Sequence, residues 1–142
     1  MPEDHPLFVG VRGDHTAEYL AKSDLILSVG SSLSPGRFSH AIPDAVNKII
    51  IQCNISELDI NKVYETNHAL IGDARFTLRA LTDELSARTS GRGRSSSSVH
   101  AEIKVSREAG LAKYQELLTS NETPINPYRV YAGMMEVLDP QN

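Results

Sequence analysis

Three short stretches carry residue types whose spacing could do chemistry. Gly10-Val11-Arg12-Gly13 stands before a helix-forming run. Glycines let a backbone approach a phosphate closely, and the N-terminus of the helix that follows favours an anion. A tight turn that merely sets the helix would use the same residues, and two glycines at this spacing do not separate the readings. Gly30-Ser31-Ser32-Leu33-Ser34-Pro35-Gly36-Arg37 leaves an apolar run that reads as a strand. In open α/β sheets ligands bind beyond the carboxyl ends of strands, where Arg37 would pair with a phosphate. An ordinary strand-to-helix loop is the plainer reading. Gly72-Asp73 follows another apolar run. Its amides would face an adenine, but Asp73 as a helix cap is the simpler explanation.

Other reactive residues fit bland roles. Cys53 ends an apolar strand and reads as a buried, inert thiol. The five histidines, His5, His15, His40, His68 and His100, are scattered without the i, i+4 spacing of a helical metal site, so no metal site is expected. Arg92-Gly93-Arg94 reads as solvated linker rather than as a phosphate contact, and Arg12-Gly13-Asp14 as a chance tripeptide.

The elements that must position these residues follow from the apolar pattern. Leu25-Ile26-Leu27-Ser28-Val29, Ile49-Ile50-Ile51 and Ala69-Leu70-Ile71 are short and continuous rather than alternating. That pattern predicts parallel strands covered on both faces. A short helix is expected over His15 to Lys22 with Asp14 as N-cap, and one or two turns over Ser56 to Lys62. Ala74, Leu78, Leu81 and Leu85 make one stripe, which predicts a helix over Ala74 to Ala87 capped by Asp73. Helices alternating with strands give an open parallel sheet.

Composition changes after this point. Residues 89–98 contain no apolar side chain and cannot bury enough surface to order themselves. A second long helix is expected from about His100 to Thr119, with Leu111, Tyr114 and Leu118 on one stripe. Residues 121–125 read as a turn. Asn126-Pro127 then starts a further helix, asparagine as N-cap and proline at the first helical position. Val130, Met134, Val137 and Leu138 form its apolar face, and it ends near Asp139-Pro140.

The 142 residues carry a net charge of −4, with 40% hydrophobic and 23% charged residues. An acidic balance argues against nucleic acid or a membrane surface as partner. No apolar run nears the roughly 18 residues of a membrane span, and the acidic Met1-Pro2-Glu3-Asp4-His5 shows no signal peptide. One cysteine excludes an internal disulfide and a cysteine-rich zinc site. A cytoplasmic location is expected.

Four stretches together carry a family resemblance: residues 5–16, residues 21–33, Lys48-Ile49-Ile50-Ile51-Gln52-Cys53-Asn54-Ile55 and Ile71-Gly72-Asp73-Ala74. In order and spacing they resemble the second half of the central domain of acetolactate-synthase-like, thiamine-diphosphate-dependent enzymes. Pro124-Ile125-Asn126-Pro127-Tyr128-Arg129-Val130 resembles the approach to that family's third domain. The resemblance implies three α/β domains. The first supplies the glutamate that activates the thiazolium ring, and the third binds the diphosphate through magnesium with a Gly-Asp-Gly motif. The middle one is structural and in some members holds FAD or another adenine nucleotide. Gly13-Asp14-His15 and Gly72-Asp73-Ala74 are not the magnesium motif. Where nucleotide-binding relatives carry an acidic pair, this chain has Asn54-Ile55-Ser56, which lacks both charges.

The expected fold is therefore α/β: a partial Rossmann-like parallel sheet of about three strands flanked by helices, then a linker and C-terminal helices. Residues 1–88 are expected to be the C-terminal part of the central domain, 89–99 a flexible linker, and 100–142 connecting helices toward a diphosphate-binding domain. A sheet this small and a last helix without a packing partner predict a fragment of a longer enzyme. The expected role is a non-catalytic scaffold within a 2-keto-acid decarboxylase or carboligase. Its partners would be the remaining catalytic domains and further copies in a homo-oligomer, with thiamine diphosphate and Mg bound elsewhere. The alternative is a stand-alone FAD- or adenine-nucleotide-binding module using Gly10, Arg12, Gly13, Gly30, Ser31, Arg37, Asn54, Gly72 and Asp73.

Overall fold

The computed structural model describes residues 5–11, 13–34, 36, 41–90, 92–93 and 95–138. It divides into two compact units, Gly10–Ser96 and the pair of segments Met1–Val9 and Ser97–Asn142.

The first unit is the α/β unit. Helix α1 (Asp14–Lys22) leads to strand β1 (Leu25–Val29), β2 (Ile49–Asn54), β3 (His68–Ile71) and helix α2 (Ala74–Thr89). The three strands form one parallel sheet in the order β1-β2-β3. Leu25 pairs with Ile49 through to Val29 with Cys53, and Ile51 pairs with His68 through to Asn54 with Ile71. Short 3-10 turns at Ala45–Asn47 and Glu57–Asp59 interrupt the connections.

The expected strands are present, but not all are covered on both faces. Among the described residues only β2 pairs with a strand along each edge, and its Ile50, Gln52 and Cys53, which point to both faces, are each 1% exposed. Side chains two apart share a face of a pleated strand. Leu25 and Leu27 thus stand in one row with Ile49, and these remain 46%, 40% and 47% exposed. The continuous apolar pattern is the pattern of a doubly covered strand, yet β1 and β3 are sheet edges here.

The start of α1 differs by one position from the expectation. Gly13 is the N-cap residue, with φ 122°, and Asp14 is already helical, in the first turn. A carboxylate there still complements the helix dipole. At the other end, Ser23 N–H and Oγ both donate to the Tyr19 carbonyl. The buried Lys48 donates its ammonium to the carbonyls of Ala21 and Ser23. A cation at a helix C-terminus meets carbonyls that have no partner within the helix. This fixes the end of α1 to the start of β2.

Helix α2 begins where its cap predicts. Asp73 Oδ1 accepts from the amides of Arg75 and Phe76 at 2.9 and 3.2 Å. It runs two residues beyond Ala87, to Thr89, and ends on Ser90 in the left-handed region at φ 52°. Its stripe is only part covered: Leu78 is 40% and Leu85 52% exposed.

The second unit is helical. The single helix expected from His100 to Thr119 is two: α3 (Ser97–Ala112) and the one-turn α4 (Gln115–Leu118), separated at Lys113 and Tyr114. Gly110 lowers helix propensity just before the break. Tyr114 turns its ring onto Tyr128, with centroids 5.3 Å apart and planes 23° apart. An offset stack of this kind rewards the break with a contact that a straight helix would not make. Tyr128 belongs to α5 (Pro127–Val137), whose N-cap Asn126 accepts from Tyr128 N–H at 3.0 Å with Pro127 behind it. α5 stops at Val137 with Leu138 as its extended C-cap, just before the expected end near Asp139-Pro140, residues that lie outside those described. Ile103 is buried at 3% exposure, while Met134, Val137 and Leu138 are open. No helix among the described residues is long and apolar enough to cross a membrane.

Candidate functional site

The carboxyl edge of the sheet gathers most of the candidate residues. The ladder continues one residue past β1 and β3. Gly30 N–H donates to Cys53 O and Gly72 N–H to Asn54 O, each at 2.9 Å. These two bonds place Gly30, Asn54 and Gly72 side by side, with Ser31 and Asp73 next in the chain. This is the position at which open α/β sheets bind ligands. Gly30 has φ 67°, a left-handed conformation that glycine adopts without a steric cost. At Gly72 the approach is close instead: a Cβ there would lie 3.3 Å from Thr77 Oγ1 in the first turn of α2.

The polar side chains at this edge already have local partners. Asn54 is buried, and its Oδ1 accepts from Ser56 N–H at 3.3 Å. Ser56 Oγ in turn accepts from Leu58 N–H at 3.3 Å and caps the 3-10 turn. Asp73 caps α2. Ser31 Oγ accepts from Leu33 N–H at 3.2 Å. These bonds build turns. An aspartate pair at positions 54 and 56 could make the same bonds and still offer charged oxygens to a ribose; Asn54 and Ser56 offer no charge.

Gly10 and Gly13 precede α1. Lys48 holds the C-terminal carbonyls of α1 at the start of β2, and the two glycines lie at the helix's other end. Both have positive φ, 100° and 122°. The His15 ring packs against Gly13, its Cε1 2.9 Å from where a Cβ would sit. The loop is thus a glycine-dependent helix start, a geometry that the turn reading and the phosphate reading share. Arg12 and Arg37, the two cations offered for a phosphate, lie outside the described residues.

One organising residue escaped the sequence reading. Gln52 is a polar residue inside the apolar run Ile49-Ile50-Ile51-Gln52-Cys53, and that contrast was its signal. Its Nε2 donates to Ser31 O at 2.9 Å and to Asp59 O at 2.8 Å. Its Oε1 accepts from Thr66 Oγ1 at 3.0 Å. One buried amide therefore joins the loop after β1 to both ends of the β2–β3 connection. Tyr64 adds a second tie across the same two connections, its hydroxyl accepting from Ile42 N–H at 2.9 Å. Cys53 is a free, buried thiol.

Among the described residues no group of three or more His, Cys, Asp or Glu side chains is placed to hold a metal ion. The carboxylate of Asp73 is engaged with two backbone amides of α2.

Comparison with known proteins gives this architecture a family. A probable acetolactate synthase large subunit from Methanocaldococcus jannaschii is 30% identical over an alignment of 153 residues, covering 98% of this chain and 23% of that protein. A second, from Methanococcus aeolicus, is 24% identical over 148 residues, covering 100% of the chain and 25% of that protein. The chain spans about a quarter of the length of these curated relatives. Residues 1–81 match the family model described as the thiamine pyrophosphate enzyme, central domain. With more than half of its residues in that match, over the segment that holds the three-stranded parallel sheet, the chain belongs to the thiamine pyrophosphate enzyme central-domain family.

Proposed function

We propose that this chain serves as a non-catalytic scaffold of a thiamine-diphosphate-dependent 2-keto-acid decarboxylase or carboligase of the acetolactate-synthase type. The observation that carries the proposal is the set of apolar surfaces left open on well-formed elements. Leu25, Leu27 and Ile49 on the sheet, Phe76 and Leu85 on α2, and Tyr131, Met135 and Val137 on α5 are all 40% or more exposed. Apolar rows left open on ordered elements offer places for packing partners. In this reading the partners are the domains that bind and activate thiamine diphosphate, in the same longer protein, and further copies of that protein. The relatives' names and the share of them that the chain spans support it. Residues 90–96, between the end of α2 at Thr89 and the start of α3 at Ser97, act as the linker between the α/β part and the connecting helices, a shorter stretch than the expected 89–99.

Thiamine diphosphate and magnesium would then be held by other domains. The 142-residue chain by itself is expected to show no decarboxylase or carboligase activity. Titration calorimetry with thiamine diphosphate and magnesium should give no binding heat, and tight binding would overturn the proposal.

The adenine-nucleotide reading has the carboxyl-edge geometry in its favour and the side-chain chemistry against it. Gly30 and Gly72 leave backbone near the edge, but Asn54 and Ser56 carry no charge and, with Asp73 Oδ1, accept from the amides of local turns. FAD added to the purified chain is expected to leave its melting temperature unchanged and to be lost on gel filtration. A preparation that stays yellow would favour the nucleotide module.

A further inference from the structure

We draw no further inference here: the strongest candidate, the groove along α3 lined by Pro6, Ile103 and Leu111 together with Lys104, Arg107 and Glu108, is a part-apolar helix face, and nothing in the structure shows what covers it.

Discussion

Gly13 joins a backbone constraint to a packing constraint. With φ 122° and ψ 171° it occupies a region that only glycine enters readily. Gly13→Ala is expected to cost about 1–3 kcal/mol, read as a lower urea midpoint in circular dichroism. Adding His15→Ala should recover little, because the ring can swing away while the dihedral strain persists. Full recovery in the double variant would show that the ring contact was the dominant cost. Gln52 is the other decisive residue. Gln52→Ala would remove a buried amide that bonds two carbonyls and a hydroxyl at part-buried positions, a loss of about 1–3 kcal/mol in the same assay. A midpoint within error of the parent would mean that water replaces the amide without cost. The candidate edge was legible where it depends on backbone: glycines after apolar runs predicted Gly30 and Gly72 correctly as strand-end loops. The work of Gln52 was not legible, because its partners are carbonyls at Ser31 and Asp59 that only the folded connections bring within reach.

At the scale of elements, local chemistry and tertiary contacts divide the outcome. Asp73 and Asn126 were predictable caps because each acts on amides two or three residues away. Asp73→Ala and Asn126→Ala should each destabilise by about 1 kcal/mol, while Asp73→Asn keeps an acceptor and should cost less. Thermal melts of the three variants test this, and an Asp73→Asn loss equal to that of Asp73→Ala would point to charge rather than capping. The split between α3 and α4 was not predictable from the stripe of Leu111, Tyr114 and Leu118. It is accompanied by a stack on Tyr128, fourteen residues beyond Tyr114. Tyr128→Ala should therefore remove the stack, with a loss of roughly 0.5–1.5 kcal/mol beyond the burial it forfeits. The near-ultraviolet tyrosine signal should change with it. Strand positions were legible because β-branched runs at Ile49-Ile50-Ile51 have few other uses. Strand coverage was not, since burial depends on neighbours rather than on the strand's own residues.

For the whole molecule, the open apolar row on the sheet decides behaviour in solution. Leu25, Leu27 and Ile49 each leave 40% or more of their surface in water. Transfer of apolar surface from water yields about 25 cal/mol per Å², so even partial cover of these three side chains favours association by a few kcal/mol. The isolated chain should thus bind the apolar dye ANS and elute earlier on gel filtration as its concentration rises. Higher sulfate should strengthen both effects, since that salt favours burial. Leu27→Gln combined with Ile49→Gln should weaken dye binding and shift elution toward the monomer. These residues are half open, so the double variant should retain its far-ultraviolet spectrum. That spectrum separates loss of a docking face from loss of the fold. A parent chain that stays monomeric and dye-silent across the same concentrations would show that the row is not sticky enough to serve as a packing face, and the scaffold proposal would lose its main support.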